Sequence, residues 1–197
     1  YKNLKSFISF GIFVGSKKIL TFVSHRLDEV IIGGILSPET LGAYFLAKNT
    51  LIQLQTLITT SFGQVLLPIF STIKDDQYQL KKQFLKITSI VSFVGVPTFA
   101  GVILTAQIFV PLIFGKEWLE SIKVFELMAY PTLLVLLMAG ITTSILYSLN
   151  KTKLVFKIDI HFLVIYMILL IVFNNGSLLN IIVIYSLYIL LKFLMIE

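Results

Sequence analysis

The chain has no cysteine, one tryptophan and two histidines, and only 13% of its 197 residues are charged. Without cysteine there is no disulfide framework and no thiolate metal site. His25 and His161 have no companions at metal-ligand spacing, so no zinc pattern exists either. The sequence also lacks a P-loop, a Gly-x-Ser-x-Gly turn and an Asp-rich phosphate motif. These absences predict no catalytic residues, no metal and no cofactor, and they lean against an enzyme. The shortage of charge excludes more. A soluble domain carries roughly 25% charged residues on a water-facing surface, and this chain cannot cover such a surface.

What fills the sequence instead is apolar: 57% of residues are hydrophobic and the mean hydropathy is +0.94. Apolar runs of ~17–25 residues recur, each long enough to cross a hydrocarbon core of ~30 Å. Backbone groups at that depth find no water, so spans are helices or closed barrels. Leu133 to Met138 is unbroken by the alternation a barrel strand needs, which favours helices. The expected fold is an all-α integral membrane bundle of about six transmembrane helices. Residues 1–197 form one domain, with spans near 6–36, 40–73, 79–108, 119–149, 154–173 and 178–196. The first four exceed what a bilayer requires and should tilt or project from it. Ser37-Pro38-Glu39-Thr40 and Asn174-Asn175-Gly176-Ser177 read as turns, and Asp76 as the cap of the third helix. Tyr1 opens neither an initiator region nor a signal peptide, which predicts a piece of a longer protein.

The net charge of +6 is distributed as membrane topology rather than as a nucleic-acid patch. Lys74, Lys81, Lys82 and Lys86 surround one connector, and Lys151, Lys153 and Lys157 another. Lys2, Lys5 and Lys192 lie at the chain ends on the same side, opposed by Lys116 alone. This asymmetry predicts that both ends and both lysine-rich connectors face the cytoplasm. Pro68, Pro97, Pro111 and Pro131 fall in or near spans and invite bends.

Two spans carry polar stripes. In the first, Lys17, Thr21, Ser24, His25 and Asp28 share an arc that Lys18 and Glu29 extend, while Arg26 lies off it. In the second, Asn49, Gln53, Thr56, Thr60 and Gln64 recur every three or four residues, flanked by Tyr44 and Lys48. Ionisable groups at membrane depth face a bundle interior or a wet cavity. Amides and hydroxyls suit either helix–helix bonding or a sugar-lined path. Asp159 and His161 sit near the start of the fifth span, where a proton relay competes with ordinary interfacial placement. Trp118 reads as an interfacial anchor, and Tyr166, Tyr185 and Tyr188 as packing.

Four segments at span boundaries resemble the bacterial polysaccharide flippases of the multidrug/oligosaccharidyl-lipid/polysaccharide exporter superfamily, which serve O-antigen, capsule and teichuronic-type polymers. They are Asp28-Glu29-Val30-Ile31-Ile32-Gly33; Leu41-Gly42-Ala43-Tyr44 with Leu46-Ala47; Val65-Leu66-Leu67-Pro68-Ile69-Phe70-Ser71 with the following Lys74-Asp75-Asp76; and Pro111-Leu112-Ile113-Phe114-Gly115-Lys116-Glu117-Trp118. The resemblance implies the C-terminal lobe of a two-lobe transporter in the cytoplasmic (inner) membrane. Such a machine turns undecaprenyl-diphosphate-linked oligosaccharide across the bilayer by alternating access, for surface polysaccharide such as lipopolysaccharide. It implies a cationic cavity, to which wheel geometry assigns Lys17, Lys18, Arg26 and Lys48, with Asn49, Gln53, Thr56, Thr60 and Gln64 for sugars. Asp28 and Glu29 are candidates for ion coupling. The implied partners are the lipid-linked substrate, membrane lipids and other polysaccharide-assembly proteins, with no nucleic acid. An ion-coupled multidrug/cation antiporter of the same superfamily is the first alternative. A membrane enzyme acting on polyprenyl phosphates is the second, with Asp75-Asp76 its nearest approach to a motif.

Overall fold

The computed structural model describes residues 2–149, 151–173 and 175–196, with side chains described except at 2–14, 17–18, 21, 25, 61–65, 67, 138–141, 143, 193 and 195–196. The described backbone forms six α-helices and one 3₁₀ turn: α1 (Lys2–Ile35), α2 (Pro38–Thr72), α3 (Gln77–Ile113), the turn Lys116–Trp118, α4 (Ser121–Ser148), α5 (Thr152–Phe173) and α6 (Leu178–Ile196). No strand occurs among the described residues. The all-helical expectation is met.

Local chemistry sets the helix ends. Ser37 caps α2 by accepting from the Thr40 amide at 3.2 Å, and Pro38 occupies the first turn, where its missing N–H costs nothing. In that loop the Ser37 hydroxyl and the residue's own amide hold the Glu39 carboxyl below its usual range. Asp76 caps α3 through the Gln79 amide at 3.0 Å. Gly115 adopts φ 103° between α3 and the 3₁₀ turn, and Gly176 adopts φ 74° before α6; both are left-handed conformations that glycine takes without a Cβ clash. α3 runs five residues past the expected limit of 108, through Pro111 to Ile113. The 3₁₀ turn and two further turn residues then precede α4 at Ser121, where an unbroken span from 119 was expected.

α4 is the hub. It packs most extensively on α2 and α3 and then on α6, while α1 rests chiefly on α5. The core follows this seam, with Tyr44, Phe70, Phe99, Phe125, Met128, Leu136, Tyr166 and Leu170 fully enclosed. Gly95 lets α3 approach α4 closely, since a Cβ there would meet Leu136 Cδ2 at 2.5 Å. Phe109 meets Phe125 edge-on at 5.2 Å on the same seam.

The outside of this bundle is also apolar. Phe93, Leu104, Leu112, Ile171 and Val30 are each more than 70% exposed. Among the described residues, α3 and α5 are long and apolar enough to cross a membrane, and their most apolar stretches are only 28% and 22% buried. A core helix of a soluble protein would be mostly enclosed, so these exposed apolar faces are suited to lipid. α6 contributes a shorter apolar stretch, Leu178–Lys192.

Candidate functional site: a buried ion cluster beside an exposed polar stripe

Asp28 lies on the α1 face that turns into the bundle and is 0% exposed. An isolated carboxylate there would carry a penalty of several kcal/mol, and the fold supplies partners from α2. Lys48 Nζ donates to both Asp28 oxygens at 2.7 and 2.9 Å, and the Tyr44 hydroxyl donates to Oδ2. The backbone N–H of Glu29 adds a fourth bond, to Oδ1 at 2.9 Å. Lys48, itself 2% exposed, also reaches Glu29 Oε1 at 3.2 Å. Glu29 in turn accepts from the Arg26 guanidinium. Two cations and two anions cancel, which is the condition for keeping such a group inside an apolar bundle.

Arg26 is where the cluster reaches the surface. Its side chain is 44% exposed, and the guanidinium lies over the rings of Phe22 and Phe45 at 5.7 and 5.5 Å. It opens onto a groove of about 460 Å³, lined by Arg26, Glu29 and Val30 from α1 and by Pro38, Leu41, Gly42 and Phe45 from α2. Phe45 continues into the α2 stripe. At ~100° per residue, Phe45, Asn49, Gln53, Thr56 and Thr60 fall within about 80° of arc. Gln53, Thr56 and Thr60 are exposed and Asn49 is half-buried. Asn49, Thr56 and Thr60 donate to main-chain carbonyls one turn back, at 2.8, 2.7 and 2.8 Å. Those bonds leave acceptor oxygens for a hydroxyl-bearing ligand.

The structure thus joins candidates that the sequence kept apart. Lys48, Asp28 and Glu29 form one ion cluster, and Arg26, off the first stripe on the wheel, stands at the head of the second. Asn49, Gln53, Thr56 and Thr60 share one face with it. The side chains of Lys17, Lys18 and Gln64 lie outside the described residues.

Sequence reasoning missed the aromatic flanks of Arg26 and the role of Tyr44 as donor to Asp28. The spacing of 16 residues across a turn gave no local signal. It also missed a second ion pair, Lys192 Nζ to Asp159 Oδ1 at 2.8 Å, which ties α6 to α5. Tyr166, Tyr185 and Tyr188 pack together between the two clusters, with Tyr166 stacked on Tyr188 at 4.6 Å. His161 is exposed and does not share the pair; its Nδ1 contacts the Lys157 carbonyl at 2.7 Å. Trp118, expected as an anchor, lies against Gly42, where a Cβ would meet its ring at 3.6 Å.

Residues 1–123 match the family described as polysaccharide biosynthesis protein. The chain is 27% identical over 194 residues to the teichuronic acid biosynthesis protein TuaB of Bacillus subtilis (strain 168), covering 98% of this chain and 40% of that protein. It is 29% identical over 154 residues to the lipopolysaccharide biosynthesis protein WzxC of Escherichia coli (strain K12), covering 74% of this chain and 31% of that protein. An uncharacterized membrane protein in the cps region of Klebsiella pneumoniae is 26% identical over 127 residues, covering 64% of this chain and 26% of that protein. The chain therefore spans two fifths or less of the length of these relatives. No solved structure matches. With well over half its length matched, this membrane chain belongs to the polysaccharide biosynthesis protein family.

Proposed function

We propose that this chain is one six-helix lobe of a transporter that flips undecaprenyl-diphosphate-linked oligosaccharide across the bacterial cytoplasmic membrane. In this reading both ends of the chain are cytoplasmic and all six helices cross the bilayer, α1, α2, α3 and α4 with aqueous extensions. The protein moves its substrate by alternating access between two lobes and does no covalent chemistry on it. The observation that carries the reading is the exposed α2 stripe Asn49–Gln53–Thr56–Thr60 leading to the half-exposed Arg26. Amides and hydroxyls match a sugar chain, and a guanidinium matches a phosphate. Apolar outer faces let the polyprenyl tail stay in lipid.

Within this reading Arg26 receives the diphosphate, helped by Lys17 and Lys18, and Gln64 extends the sugar path. Lys48 contributes in a conformation that loosens its pair with Asp28. Asp28 and Glu29 are the groups through which an ion gradient would act. A cationic drug fits this surface poorly, because Lys48 and Arg26 already engage both acids and, of the four groups in the cluster, the guanidinium is the one that reaches the surface. That ranks the antiporter below the flippase.

Complementation tests the reading. The full-length protein carrying this chain is expressed in a bacterium that lacks its own flippase and makes a matching glycan. Wild type and Arg26→Lys restore surface polymer, whereas Arg26→Glu inserts normally, lowers polymer at least tenfold and accumulates lipid-linked intermediate. Full activity of Arg26→Glu would remove Arg26 from the site.

A further inference from the structure

α5 has 22 residues, about 33 Å of helix against a hydrocarbon core of ~30 Å. It has almost no length to spare for charge. Nevertheless Lys153, Lys157 and His161 are exposed at successive turns on one face. The same face continues as Val164, Ile168 and Ile171, which are 49%, 52% and 75% exposed. The acid on this helix, Asp159, is turned into the seam with α6, where it holds Lys192 at 2.8 Å. Tyr188 packs in that seam behind it. The stripe is thus cationic along its first turns and apolar beyond.

α3 provides the contrast. Its exposed Lys81, Lys82 and Lys86 fall in the first ten residues of a 37-residue helix. That helix is about 55 Å long, with ~25 Å beyond what the bilayer needs, so these lysines can sit in water. Lys157 and His161 cannot leave the inner part of the bilayer in the same way. Cations in the first turns of a helix also oppose its dipole, which an anion at that end would offset.

We propose that this α5 face binds an anionic phospholipid of the inner leaflet. Lys153 and Lys157 receive the phosphate, His161 lies one turn deeper on the same face, and an acyl chain runs along Val164, Ile168 and Ile171. The inference rests on α5 crossing the membrane with its first turn on the cytoplasmic side, as in the proposed topology, and is independent of the cargo. Phosphate oxygens accept from ammonium N–H groups, and the stems of Lys153 and Lys157 carry their ammonium groups out to the negative headgroup layer.

The test uses the purified full-length protein and native mass spectrometry with phosphatidylglycerol and phosphatidylcholine of identical acyl chains. Wild type retains phosphatidylglycerol in preference by roughly tenfold or more, as expected for two or three lysine-like contacts. Lys153→Gln/Lys157→Gln/His161→Gln loses the preference. Lys81→Gln/Lys82→Gln/Lys86→Gln, a control that removes three lysines from α3, keeps it. Equal loss in both variants, or none in the α5 variant, would overturn the site in favour of general surface charge. A wild type that resists alkaline extraction from membranes yet shows no preference would overturn the site and leave the membrane reading standing.

Discussion

Lys48 and Asp28 are buried together, and that fixes what their replacement does. Lys48→Met leaves an uncompensated carboxylate in an apolar seam, so it should cost about 3–5 kcal/mol. Asp28→Leu combined with Lys48→Met removes both charges and should cost far less than the sum of the single changes. Tyr44→Phe withdraws one charge-assisted bond, worth about 1.5–3 kcal/mol. Unfolding of the purified protein in detergent measures all of these, and additive single and double variants would show that the pair is not formed. The sequence displayed each of these residues but not their association. Wheel geometry ordered α1 correctly as a helix yet had no means of saying which arc faced α5 and which faced α2. Asp28 was therefore grouped with lysines of its own helix, while its partners came from the next. Arg26, off the first stripe on the wheel, owes its place to Phe22 and Phe45, a relation that only packing creates.

At the scale of elements, turn chemistry was legible because it is local. Ser37-Pro38, Asp76 and Gly176 each mark an end through a bond or dihedral within a few residues. The end of α3 was less legible, since Pro111 lies in a helix that tertiary contacts of Val110 and Phe109 carry onward. Three of the four segments that resemble the flippases prove to touch one another. Asp28 meets Tyr44, a Cβ at Gly33 would meet Leu41 Cδ2 at 3.1 Å, and Gly42 faces Trp118. They build the corner where α1, α2 and the 3₁₀ turn meet, so their shared character reflects packing as well as chemistry. Gly115 is the point of that corner that only glycine fits, with φ 103° and a position where a Cβ would lie within 2.6 Å of the Glu117 carboxylate oxygens. Gly115→Ala should destabilise by about 1–3 kcal/mol, read as a lower unfolding midpoint in detergent. An unchanged midpoint would mean that the turn relaxes to a right-handed form.

For the whole molecule, composition alone dictated helices in lipid, and the exposed apolar faces of α3 and α5 agree. What composition could not dictate is which side of the bundle is polar. Among the described residues, the α2 stripe and Arg26 make one polar face, the exposed lysines of α3 and α5 lie in the first turns of those helices, and α4 takes the centre. In the proposed reading, that polar face meets sugars and phosphate while the apolar faces of α3 and α5 meet lipid, which is the asymmetry a flippase requires. The most direct test of that claim is translocation itself. The full-length protein is reconstituted in liposomes with undecaprenyl-diphosphate-linked oligosaccharide, and glycan exposed on the far leaflet is followed with a membrane-impermeant lectin. The account predicts glycan appearing on the far side faster than in protein-free vesicles, with the gain lost in Arg26→Glu. Movement no faster than in protein-free vesicles, with a glycan known to be exported by the same cell, would contradict it.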